Sequence, residues 1–212
     1  MSRQNMLPAA EVDAIVAVVA DPLLVAAGFH GVSRRRWVRS FAPIRHVFEI
    51  ALLKGRMLVP RWGISLDFVP HVRGKGLAWH RTEKSATPDL VFDPVDFDPE
   101  WRARCGIDTL GEEVVVRRAV EQRLPVAIAS ALPWFDGARD LSSVMELAEW
   151  LRTTARPGNR FAFEAYVQQP LAYAFLLART GRPEAARDEL SRWIAANALE
   201  PRRDELMQLL VE

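Results

Sequence analysis

From Arg61 to Phe68 the chain alternates without a fault: Trp62, Ile64, Leu66 and Phe68 take every second place, with Arg61, Gly63, Ser65 and Asp67 between them. Successive strand side chains point to opposite faces, so a period of two describes a strand with one face buried and one face not. The set containing Trp62 is the core face, which leaves Arg61 outside and Trp62 inside. Such a strand needs partners at its edges and a cover for its apolar face, and the flanking segments offer both.

Upstream, Val12, Ile15, Val16, Val19, Leu23 and Leu24 recur at three- and four-residue spacings and predict a helix over residues 9–27, stopped by Gly28. Asp21-Pro22 interrupts it as a kink, or as the cap and first residue of a second short helix. After Gly28 the period becomes two. Arg35, Trp37, Arg39 and Phe41 alternate with Arg36, Val38 and Ser40, and Phe48, Ile50 and Leu52 share a face. Leu77–Thr82 is a weaker fourth strand, reached through a turn-rich loop from His71 to Gly76. Strands joined by short links form an antiparallel meander.

From Pro88 to Glu100 five acidic residues and three prolines occur with no base, as expected of an extended connector. Beyond it the pattern is helical. Val116, Val120 and Leu124 stand four apart, Leu132–Gly137 reads as a turn holding two aromatics, and Ser143 with Glu146 forms a capping box. An apolar stretch from Phe161 to Thr180 closes at Gly181, Pro183 opens the next helix, and a short last helix follows Pro201. Leu176–Ile194 looks like one tetratricopeptide helix pair, but no second copy follows at that repeat's period. The expected fold is α+β: an N-terminal helix packed on an antiparallel sheet of about four strands, then an α-helical C-terminal half. The expected division is residues 1–100, ending in the acidic connector, and residues 101–212, with a core the two can share.

The 28 basic and 27 acidic residues nearly cancel, but unevenly. Residues 31–87 hold twelve basic side chains against Glu49, Asp67 and Glu83, and the flanks are acidic. Either the acidic segments neutralise this middle or it presents a basic face to an anionic partner. Arg34, Arg36, Arg61, Arg73, Lys75 and Arg81 are the candidate anion- or partner-binding residues. Trp37, Trp62 and Trp79 lie among these cations, an arrangement that single-stranded nucleic-acid binders use for stacking.

Catalytic signals are sparse. His30, His46, His71 and His80 make no paired-ligand spacing, and the single Cys105 excludes a disulfide framework and a thiolate zinc cage. The acids of the connector do not follow a calcium loop, and Gly74-Lys75-Gly76 lacks the remaining glycine and hydroxyl of a phosphate loop. No serine has flanking glycines of the nucleophile-elbow kind. Cys105 reads as a small buried residue. No catalytic residue, metal or cofactor is assigned. A hydrolase of an anionic or phosphodiester substrate would rest on His71, His80 and Asp67, and would need them to converge in one pocket. No apolar run reaches the roughly 20 residues of a membrane span, and the acids before Ala14–Ala20 are wrong for a secretory leader, so a cytoplasmic protein is expected.

Ala27-Gly28-Phe29 followed by Arg35-Arg36-Trp37-Val38-Arg39, then Phe48–Leu52, Trp62-Gly63-Ile64-Ser65-Leu66 and Leu132-Pro133-Trp134-Phe135, resembles a bacterial family of domains of unknown function (number four-three-zero-four) over roughly residues 9–152. The resemblance implies an α+β fold and a stand-alone cytoplasmic protein, some of whose relatives look like immunity or accessory factors. It implies no catalytic residue, and the helices after Arg156 extend beyond it. The leading expectation is a non-catalytic protein-binding module with an acidic partner; the hydrolase and a nucleic-acid binder are the alternatives.

Overall fold

A computed structural model of the chain describes residues 7–53, 56–73, 76–94, 97–98, 100–154 and 168–211. The order is α1 (Ala9–Ala26), β1 (His30–Ser33), β2 (Arg36–Phe41), β3 (Ile44–Leu53), β4 (Met57–Leu66), β5 (Pro70–Arg73), β6 (Gly76–Trp79), β7 (Leu90–Phe92), α2 (Trp101–Cys105), β8 (Ile107–Asp108) and α3 (Glu113–Asp136). Then come α4 (Leu141–Thr154), α5 (Gln168–Arg179), α6 (Pro183–Ala196), a 3₁₀ turn (Glu200–Arg202) and α7 (Arg203–Leu209). The α+β architecture with an N-terminal helix, an antiparallel sheet and a helical C-terminal region is the one the sequence leads one to expect.

The main sheet runs β1-β2-β3-β4-β7, with β8 also on β4, so it holds six strands. Three of them come from segments without strand periodicity: β1 lies directly after α1, β7 lies in the acidic connector, and β8 follows α2. Leu77–Trp79 is a strand, but it pairs with β5 in a separate ribbon rather than with the sheet. The central register places Trp37 opposite Phe48 and Phe48 opposite Trp62. Those residues, with Arg39, His46, Ile64, Phe41, Ile44 and Leu66, form one face.

That face carries two cores. Near β2–β4's Trp37, Phe48 and Trp62, it packs against Val12, Ile15, Val16, Ala20 and Leu24 of α1 and Val116, Val120, Leu124 and Phe135 of α3. Ile44, Ile64 and Leu66 join Leu90 and the apolar sides of α4, α5 and α6. The sheet therefore contributes to both the N-terminal and the C-terminal cores.

Three local expectations change. Asp21-Pro22 does not break α1, because Val16, Ala20 and Leu24 must stay in one row to be buried. The Leu132–Gly137 turn is instead the last turn of α3, which continues through Pro125 and Pro133. Phe135 is buried there against Phe29 and His46, and that packing outweighs the lost backbone bonds. The capping box of α4 lies one turn earlier than Ser143–Glu146: Asp140 Oδ1 accepts from Ser143 N at 2.9 Å, and Ser143 Oγ faces Asp140 N at 3.2 Å. Pro183 does open α6, and Gly181 does close the preceding turn at φ +81°. Of the apolar stretch from Phe161, residues 161–167 lie outside the described residues.

Candidate functional site

The opposite sheet face is where the basic segment spends its charge. By the same register it presents Arg36, Glu49 and Arg61 in one row, Val38, Val47 and Gly63 in the next, and Ser40, Arg45 and Ser65 in the third. Residues 80–89 lie across it as a strap. Arg36 donates to Ala86 O (3.3 Å), Arg45 to His80 O (3.3 Å) and Arg81 O (2.6 Å), and Ser40 to Glu83 (2.8 Å). His30 Nε2 meets Glu83 at 2.7 Å, and Ala86 is buried with Val38 and Val47.

Most of the cations are paired, but the pairing is uneven. Glu49 is sandwiched between two guanidiniums, Arg36 at 2.9 Å and Arg61 beside its other oxygen. Asp13 on α1 lies 3.0 Å from Arg35 and 3.7 Å from Arg34. Asp136 takes Arg39 (2.9 Å) and Arg139 (2.6 Å); these two bonds, Arg139's first, hold its carboxyl below the usual range. Arg45 pairs with Asp67. Arginine's five donors let it share an acid in this way, and the result is repeatedly two positive groups on one negative group.

Two acids of the connector, Asp89 and Asp98, are engaged elsewhere. Asp98 pairs with Arg104 at 2.6 Å. Asp89 is wholly buried, accepting from Leu66 N (2.6 Å) and His71 Nε2 (2.7 Å). Burial pushes its carboxyl up, against the pull of His71 and of the Leu66 N–H.

Of the six candidate residues, Arg36 and Arg61 come together on Glu49 with their side chains 29% exposed. Arg34 stands on the β1–β2 turn, 77% exposed. Arg81 stacks on Trp79, its guanidinium carbon 3.9 Å from the ring centre, and donates to Asp67 O at 3.2 Å. Arg73 ends β5, on the separate ribbon, and Lys75 lies outside the described residues. Trp37 and Trp62 are in the core, Trp37's indole donating to Asp21 at 2.7 Å, and they offer no stacking face.

His71 and His80 do meet, with ring centres 4.0 Å apart. Their acid is Asp89, whereas Asp67 belongs to Arg45. His80 Nδ1 donates to Ser85 O at 2.5 Å. With exposures of 5%, 6% and 0% for His71, His80 and Asp89, the trio anchors the strap and the ribbon to the sheet. Cys105 is buried, its thiol pushed up by that burial. Among the described residues no cluster of three or more His, Cys, Asp or Glu side chains could hold a metal ion, and no helix is long and apolar enough to cross a membrane.

Beside the strap, α1 and the β1–β2 hairpin enclose a cleft of about 460 Å³. Asp13, Ala17 and Asp21 line it from α1, Gly31 to Arg35 from the hairpin, and Trp37 closes its floor. Sequence reasoning missed Asp13, Glu49, Asp89 and this cleft. Only Asp89 carries a local signal, an acid directly before the apolar triplet Leu90-Val91-Phe92.

No family model, curated protein or solved structure matches the chain.

Proposed function

We propose that the protein is a non-catalytic protein-binding module, of the accessory or immunity-like kind, whose partner is acidic and docks at the β1–β2 end of the sheet. The observation that supports it is Arg34 on the β1–β2 turn: its side chain is 77% exposed, and Asp13, 3.7 Å away, also faces Arg35 at 3.0 Å. A cation so placed accelerates encounter with an acidic surface and orients it. Arg36, at this end, is held by the strap through Ala86 O, which lowers the entropy cost of docking.

A salt titration of binding to fluorescent poly-L-glutamate, beside fluorescent single-stranded DNA, tests the reading. Arg34→Glu is the informative variant, because Arg34 has no hydrogen-bond partner among the described residues to strand. Arg36→Glu would set two carboxylates together at Glu49 and remove a strap bond, so its effect on binding would be entangled with folding. Polyglutamate binding that weakens with salt and drops at least about tenfold in Arg34→Glu is expected. Tighter, Arg34-dependent binding of DNA would replace the protein partner with a nucleic acid. No binding to either at low salt would overturn the docking site.

A further inference from the structure

Strand β1 is the outer strand of the main sheet: it pairs with β2 alone, over His30–Val38, Gly31–Trp37 and Ser33–Arg36. Its other edge carries no strand among the described residues. A free edge is a template for another chain unless something covers it. Between β1 and α1 lies the 460 Å³ cleft, lined by Gly31 to Arg35 on one side and by Asp13, Ala17 and Asp21 on the other. The wall is low at its middle because Ala17 sits between Asp13 and Asp21, one and two turns apart on the same face of α1.

The charges of the cleft are ordered along it. At one end Asp13 faces two cations, Arg35 at 3.0 Å and Arg34 at 3.7 Å, so Arg34, open to solvent, has charge to spare. At the other end Asp21 is exposed, with one oxygen held by the Trp37 indole. Eight helical residues separate the two acids, roughly 12 Å. In an extended chain, side chains four residues apart point the same way and stand roughly 13 Å apart. The spacing of the cleft's charges therefore matches a strand's own repeat.

We propose that β1 accepts an extended segment of the protein partner as an added strand, lying along α1, with an acidic side chain on Arg34 and a basic one four residues away at Asp21. This rests on the protein-binding reading above and names its mode. Main-chain pairing would supply affinity and the two charges the register, as in other strand additions. β1 is only four residues long and irregular between Gly31 and Ser33, so the paired stretch is short and the charge contacts decide which segment binds.

The probe is a blocked peptide alternating valine and threonine, with one glutamate and, four residues on, one lysine. Its control is the same peptide N-methylated along one edge, which keeps shape and charge but cannot pair. Binding is read by fluorescence anisotropy, and hydrogen exchange reports the amides of residues 30–34. Expected is protection of those amides by the parent peptide, with affinity about tenfold weaker for the N-methylated one, the worth of one or two net hydrogen bonds. Arg34→Glu should weaken both. Equal binding of both peptides, or binding without protection of residues 30–34, overturns strand addition while leaving acidic docking intact. No binding of either peptide by a protein that holds polyglutamate does the same. Failure of polyglutamate and peptides alike sinks both readings.

Discussion

At the scale of single residues, Gly63 shows how closely the strap end and the sheet are fitted. It lies mid-β4, opposite Val47 on one side and Val91 on the other. A Cβ there would collide with the Leu90 carbonyl and lie 2.7 Å from Pro88 Cβ. These neighbours are backbone and a ring, and neither can swing away. Gly63→Ala should cost about 1–3 kcal/mol, the usual range for overpacking, with the urea midpoint lowered at unchanged m-value. Glu49 is the electrostatic counterpart. Glu49→Gln preserves its shape but leaves Arg36 and Arg61 facing each other with no negative charge between them. A loss of about 1–3 kcal/mol is expected. Because the repulsion it exposes is partly screened, the difference from the parent should shrink in denaturation curves at high salt. A loss that salt does not change would mean that Glu49 acts through packing.

Among the elements, α4 has a start that can be located by mutation. Asp140 and Ser143 bond reciprocally before the buried row Val144, Met145, Ala148 and Leu151. The Ser143 N–H first, then the Ser143 hydroxyl and the Ser142 N–H, donate to the Asp140 carboxyl and hold it below its ordinary range. Asp140→Ala should lower the urea midpoint, whereas Glu146→Ala should leave it close to the parent's. The reverse ranking would put the cap where periodicity first placed it. The elements also show what a sequence can and cannot carry. β2, β3, β4, α1 and α6 were legible because the apolar residues of each recur at the period of the face that meets a core, even where, as in β3 and β4, the other face is covered too. β1 and β7 were not: a four-residue and a three-residue strand at the rim have too few alternations to reveal a period, and pairing with β2 or β4 makes them strands. The candidate site divides likewise. The arginines of the basic segment stood out by composition. Their sharing of Asp13 and Glu49 depends on register across three strands and on α1's placement, which no local pattern encodes.

For the whole molecule, the joint between the N-terminal and C-terminal parts is a polar one set among aromatic rings, and that makes it sensitive to acid. His46 lies on the core face of β3, stacked on Phe135 at 4.9 Å, with Nε2–H donating to Ala138 O at 2.7 Å. Its Nδ1 accepts from Arg39 (3.3 and 3.2 Å), which itself reaches Ala27 O and Asp136. One neutral imidazole thus links α1's end, the sheet and the α3–α4 turn. Burial, opposed by the bond to Ala138 and aided by Arg39, lowers its pKa from 6.5 to about 4. The unfolded chain therefore binds a proton in a range where the folded one does not, and stability rises with pH across that range. His46's contribution is complete above pH 6.5, erodes as pH falls and is gone at about 4. The shift corresponds to a loss of about 3 kcal/mol at 1.36 kcal/mol per unit. Asp89 acts in the opposite sense, since its raised pKa favours the folded state on acidification; it does so in the parent and in a His46 variant alike, so the difference between them isolates His46. In urea melts from pH 7 to 4.5 the parent's midpoint should fall relative to the variant's. In His46→Gln, which can still donate to Ala138 O, a less stable protein at pH 7 should lose little more on the way down. If parent and variant lose stability in parallel, the acid sensitivity of this fold lies elsewhere than at its central histidine.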